Sequence, residues 1–159
     1  MNIVGKRNLR KLLEQKVAMH PHKTFLIFEA EDGVARTFSY RQFNQMVNRT
    51  ANALLRHGVT KGDKVNLHLT NCPEFLFFWY AAAKIGAVIV PTNPLSPPDE
   101  LSFPVMHSES VVSVTQPDLL PALEAVREAC PDVRQVVLCG AQEPSTGVLP
   151  FEELVEGQP

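Results

Sequence analysis

Residues 64–101, KVNLHLTNCPEFLFFWYAAAKIGAVIVPTNPLSPPDEL, constrain the fold more than any other part of the chain. They read as a strand, a capped apolar helix, a strand ending in Pro-Thr-Asn-Pro, and a second capped helix. Asn71 is the expected cap of the first helix, with Glu74 as its capping-box partner and Pro73 tolerated in the first turn. Residues 75–80 are apolar on every face, so this helix needs cover on several sides. The run 87–90 is continuously apolar, as in a parallel strand buried on both faces. Ser96 is the expected cap of the second helix, and Pro104 inside it predicts a kink or an early end.

The flanking sequence extends the alternation. Leu9, Leu12, Leu13 and Val17 give an amphipathic helix over 9–19, stopped by Pro21. Two short strands follow around Glu31-Asp32-Gly33, a hairpin signal. Ser39 and Gln42 form a capping box, Phe38 and Phe43 a candidate hydrophobic staple, and Gly58 a left-handed stop. Lys61-Gly62-Asp63 then turns into the strand at 64–69. Further on, 111–115 and 133–138 read as strands, with a helix from Asp118 to about Ala129 between them. Residues 140–159 read as an irregular tail, with one helical turn at 151–155. Strands alternating with helices predict an α/β fold: an open, mainly parallel sheet of about four strands with flanking helices. The N-terminal β-hairpin is expected against an edge or one face. Residues 1–159 read as a single α/β subdomain.

Composition narrows the function classes. Apolar residues are 45% and charged residues 20%, values of an ordinary globular domain. Net charge is −2, and no basic run is interleaved with aromatics, which argues against nucleic acid. Cys72, Cys130 and Cys139 are odd in number and form no Cys-x-x-Cys pair, so neither a zinc site nor a disulfide framework is expected. The N-terminus has no continuous apolar core, so a cytoplasmic location is expected and the sequon at Asn48 is expected to be idle. The apolar run 75–83 is too short for a span of about 20 residues, and no transmembrane segment is predicted.

Thr37 to Val65, TFSYRQFNQMVNRTANALLRHGVTKGDKV, resembles the first conserved block of the adenylate-forming (AMP-dependent) acyl-CoA synthetases. Ala83 to Pro94, AKIGAVIVPTNP, resembles the second. KGDKVNLHL, NCPEF and AKIGA together are similar to the carnitine/crotonobetaine-CoA ligase branch. The resemblance implies the large N-terminal domain of an ATP-dependent acid–CoA ligase, which makes an acyl-adenylate and then an acyl-CoA. It implies ATP, Mg²⁺ and coenzyme A for the full-length enzyme, and a small carboxylic acid as substrate. Two departures stand out: Pro104 in a helix that usually lacks proline, and His107-Ser108-Glu109 where Asp-Ser-Glu/Gln is common.

The parts that would carry this chemistry are not in the sequence. The eight glycines never cluster into a phosphate cradle, and the family's ribose-binding aspartate motif and catalytic lysine lie downstream in its members. No catalytic, cofactor-binding or metal residue is therefore assigned. The expectation is a fragment that binds no cofactor and is inactive alone. The alternative is a stand-alone interaction or assembly module on the same scaffold. Exposed apolar surface around the all-round apolar helix predicts self-association. His20 and His22 flank Pro21 without metal spacing, and His68 reads as a packed strand histidine. Cys72 at a helix start could be a low-pKa nucleophile, but Glu74 opposes a thiolate and packing is the simpler role. The aromatic run 75–80 reads as core, with an acyl pocket as the rival reading.

Overall fold

The computed structural model describes residues 8–30, 33–140 and 147–159. Its elements are α1 (Leu9–Met19), β1 (Thr24–Glu29), β2 (Ala35–Ser39), α2 (Tyr40–Arg56), β3 (Lys64–Leu67), α3 (Pro73–Ile85) and β4 (Val88–Pro91). Then come α4 (Pro98–His107), β5 (Ser110–Thr115), α5 (Leu120–Val126), a 3₁₀ turn (Arg127–Ala129), β6 (Gln135–Leu138), β7 (Leu149–Pro150) and α6 (Phe151–Val155).

Five parallel strands form one sheet in the order β4-β3-β5-β6-β7. The chain steps from β3 outward to β4, then crosses back over β3 to β5. Right-handed crossovers in opposite directions put the connecting helices on opposite faces. Accordingly, α3 packs in a core with α1, α2 and α6, whereas α4 and α5 bury Leu101, Val105, Leu123 and Val126 in a second one. Strand residues divide by period two. Val65, Leu67, Val112, Val114 and Val137 join the first core, and Val136 the second.

The sheet has one strand more than the sequence suggests. The expectation of an irregular tail over 140–159 is corrected in its described part. Leu149 and Pro150 pair with Val137 and Leu138, and α6 buries Phe151, Leu154 and Val155. A two-residue strand is too short for a period-two pattern to show. Residues 141–146 lie outside the described residues.

The hairpin forms its own two-stranded antiparallel sheet. Its strands form a sheet separate from the five-stranded one. Phe25 of β1 packs on Tyr40, Phe43 and Tyr80, and Phe38 on Phe77, so the hairpin lies over α2 and α3. Glu31 and Asp32 of the expected turn lie outside the described residues. Gly33, at φ 79°, donates to the Ala30 carbonyl.

Helix starts test the sequence reading most sharply. The box at Ser39 is present in both directions: Gln42 N–H donates to Ser39 Oγ, and Ser39 N–H to Gln42 Oε1. Phe38 and Phe43 each meet Phe77. The other two caps are corrected. α3 starts after Cys72 and α4 after Pro97, neither with a side-chain cap. Glu74 is drawn away by an arginine from the hairpin, a partner that local sequence cannot reveal. Ser96 Oγ instead meets Glu100 Oε2 at 3.3 Å. α4 continues past Pro104 to His107, and Glu109 at φ 55° then reverses the chain into β5. Gly86 closes α3 at φ 80°, a left-handed conformation that favours glycine; a Cβ there would lie 3.0 Å from Lys61 Cγ, so the lysine side chain would have to shift.

Candidate functional site at the carboxyl end of the sheet

In open α/β sheets the crevice for ligands forms where neighbouring strands send their connections in opposite directions. Here that place is between β3 and β5. Their carboxyl ends continue into Thr70 and Gln116, which join across the gap. The Thr70 N–H and Oγ–H donate to Gln116 Oε1 at 2.6 and 2.8 Å. A cavity of about 670 Å³ opens beside this bridge, between the start of α3, the hairpin, the end of β6 and Glu152 of α6.

Arg36 and Glu74 dominate its wall. The Arg36 guanidinium donates from Nη1 to Glu74 Oε1 at 2.8 Å and from Nη2 to Oε2 at 3.2 Å. It also lies over the Phe28 ring, 5.4 Å from its centre. This fork-to-fork pairing fixes the guanidinium plane and leaves the buried carboxylate satisfied. Glu74 also answers the positive end of α3, whose first residue, Pro73, has no N–H to offer.

Among the described residues, the remaining charged side chains on the wall are Glu29, Asp118 and Glu152. Four carboxylates thus face one arginine that is already engaged. A nucleoside triphosphate would meet repulsion here, and among the described residues no lysine lines the cavity to offset it. The described residues of this cavity do not fit ATP or the phosphates of coenzyme A. Among the described residues no group of three His, Cys, Asp or Glu is placed to hold a metal ion.

Cys72 and Cys139 also line the cavity. Burial, reinforced by the neighbouring Glu74 charge, pushes the Cys72 thiol up to about 11. Burial raises Cys139 well above its ordinary value as well. Both are protonated at neutral pH, which suits packing and opposes nucleophilic attack. His68, the residue after β3, is fully buried, with Nδ1 3.1 Å from Thr92 Oγ1. Asn66 Nδ2 donates to the same Thr92 oxygen and to the Val90 carbonyl. Asn48 of the sequon accepts from Lys84 within the α2–α3 contact.

Phe77 and Phe78 of the aromatic run are buried in the core. Phe75 and Leu76 line a separate apolar hollow of about 260 Å³ with Leu26, Phe28 and Pro73. Sequence reasoning named Asn71, Cys72, Glu74, Asp118 and Cys139 only as caps, a helix start or packed thiols, and it missed Arg36, Thr70 and Gln116 altogether. Arg36 sits in an edge-like strand with no motif, and Thr70 and Gln116 are 46 positions apart. The one available signal was the alternation itself, which implies a switch point once strand order is known.

The described geometry agrees with three comparisons. A family model described as "AMP-binding enzyme" matches residues 13–158. The chain is 38% identical over its whole length to a crotonobetaine/carnitine–CoA ligase of Escherichia coli O127:H6, covering 31% of that protein. It is 40% identical to one from Salmonella typhi, over 97% of this chain and 30% of that one. The anthranilate CoA ligase AuaEII, solved with anthranoyl-AMP, superposes with a TM-score of 0.88 at 28% identity, over 96% of this chain and 28% of that one. The N-terminal domain of FACL13 from Mycobacterium tuberculosis superposes at 0.74 and 28% identity, over 96% and 37%. The chain therefore spans about a third of the length of the curated relatives it matches.

Proposed function

The chain belongs to the AMP-binding enzyme family, and on that premise we propose that it is the N-terminal part of an ATP-dependent acid–CoA ligase, inactive by itself. In this reading residues 1–159 form one α/β subdomain of the larger ligase domain. They hold the scaffold blocks, while phosphate loop, metal carboxylate and catalytic lysine come from polypeptide that follows in the relatives. The observation that carries the reading is the carboxylate-lined cavity at the switch point, on a scaffold that matches only a third of each relative. Leu95, Phe103 and Met106 support it, since they stand exposed around α4 as apolar surface for a further layer. Crotonobetaine- and carnitine-type acids are the first substrates to test, given the 38–40% identity to ligases named for them. The three free cysteines suit a reducing, cytoplasmic setting. Among the described residues no helix is long and apolar enough to cross a membrane.

Titration calorimetry with Mg-ATP tests the reading. No saturable heat is expected from the chain alone. Micromolar affinity, or pyrophosphate release that depends on added acid, would overturn it. The second reading, a stand-alone interaction module, draws on the fact that both faces of the sheet are already covered. Adding the downstream two thirds of the Salmonella typhi ligase in trans separates the two. Restored acyl-adenylate formation supports the ligase part, and a stable chain with no complementation supports the module.

A further inference from the structure

We propose that the outward face of α1 is a docking surface for an anionic lipid bilayer. Leu13 and Val17 turn the helix inward onto the core. Leu9, Leu12 and Met19 remain 39%, 43% and 58% exposed. With Lys16 they follow i, i+3, i+7 and i+10, so they share one side of the helix. An exposed apolar stripe of this kind needs a partner.

Charge identifies the partner. Residues 1–23 contain Lys6, Arg7, Arg10, Lys11, Lys16 and Lys23 against the single acid Glu14, in a chain of net charge −2. Basic residues are thus concentrated in this part of the sequence, and Arg10, Lys11 and Lys16 lie on α1 itself. Glu14 is itself engaged, by Arg10 at 3.0 Å and Lys84 at 3.6 Å. Among the described residues Lys11, Lys16 and Lys23 are in no ion pair. Apolar side chains beside uncommitted lysines match a surface that is oily below and negative above. Lysine stems lie along the apolar stripe while their ammonium groups reach the headgroups. The exposed apolar surface around α4 lacks this signature. No lysine or arginine occurs between Lys84 and Arg127, and α4 opens with Asp99 and Glu100, so Leu95, Phe103 and Met106 suit a neutral protein surface.

The test is co-sedimentation of the whole chain with phosphatidylglycerol vesicles and with phosphatidylcholine vesicles. Sedimentation with the anionic vesicles only is expected, reversed near 1 M salt, where screening acts within about 3 Å. Each basic residue at such a surface contributes roughly fivefold, so Lys11→Glu with Lys16→Glu should weaken binding by about 20-fold or more. Leu12→Glu with Met19→Glu should weaken it comparably, and thermal melts of both variants should show the fold intact. No sedimentation of folded wild-type chain with anionic vesicles would overturn the proposal, as would equal binding to phosphatidylcholine or unchanged binding in both variants. A lipid-free dimer lost in Leu12→Glu/Met19→Glu would assign the face to a second copy instead. Displacement of vesicles by the downstream part of the Salmonella typhi ligase would assign it to the ligase itself. None of these readouts involves nucleotide, so they are independent of the ligase reading.

Discussion

The Lys84 ammonium donates to Asn48 Oδ1 at 2.8 Å across the α2–α3 contact, and to Asn44 Oδ1 at 2.7 Å. With its side chain 9% exposed and Glu14 of α1 3.6 Å away, this one cation ties three helices together. Lys84→Met removes the donor and strands two amide oxygens. The expected loss is about 1–3 kcal/mol in denaturant melts. A variant as stable as the parent would show that the node contributes nothing. Burial lowers the Lys84 pKa from 10.5, so the unfolded chain binds this proton more tightly. Its contribution to stability therefore rises with pH as pH climbs from the lowered folded value toward 10.5.

The Ser39–Gln42 box should respond to Ser39→Ala with a loss of about 1 kcal/mol. Phe43 has no exposed surface and contacts Phe25, Phe77 and Tyr80, so Phe43→Ala should cost about 3–5 kcal/mol. In a complete ligase both changes should lower stability and leave turnover per folded molecule unchanged. Active-site titration beside the melts measures this. Lost turnover in fully folded Ser39→Ala protein would place a functional role in this block.

His68 gives a pH test of opposite range. Burial lowers its pKa from 6.5, so the folded protein takes up that proton less readily than the unfolded chain. Its contribution is flat above about 6.5, falls as pH drops below that, and levels off below the folded value. Melting temperatures between neutral and mildly acidic pH should therefore decline less steeply in His68→Gln than in the parent. Parallel curves would mean that other groups set the acid limb.

Arg36→Met leaves Glu74 without its bidentate partner in a mostly buried position. Because Arg36 is half exposed and water can reach the carboxylate, the loss should be roughly 1–3 kcal/mol, below that for a fully buried pair. Adding Glu74→Gln should recover part of it, since an amide carries no charge to strand. A double-mutant cycle by chemical denaturation reads the coupling. Independent, additive effects would mean that the pair is not coupled.

Much of the fold is written locally. The helix at 9–19, the capping box at Ser39, the stop at Gly58 and the run of parallel strands follow from periodicity and capping within a few residues, because those interactions close within one turn or one pleat. The blocks at 37–65 and 83–94 likewise carry the family, which the match over 13–158 bears out. What tertiary structure alone decided are the contacts between distant segments. Arg36 takes Glu74 from the cap the sequence gives it, because a bidentate guanidinium outweighs one backbone N–H. Thr70 and Gln116 become neighbours only when the strand order reverses at β3. β7 exists only because Val137 and Leu138 offer it an edge to pair with. Each depends on a partner tens of residues away or supplied by another element, brought near by burial of the apolar sheet faces, and so none leaves a mark in the local pattern.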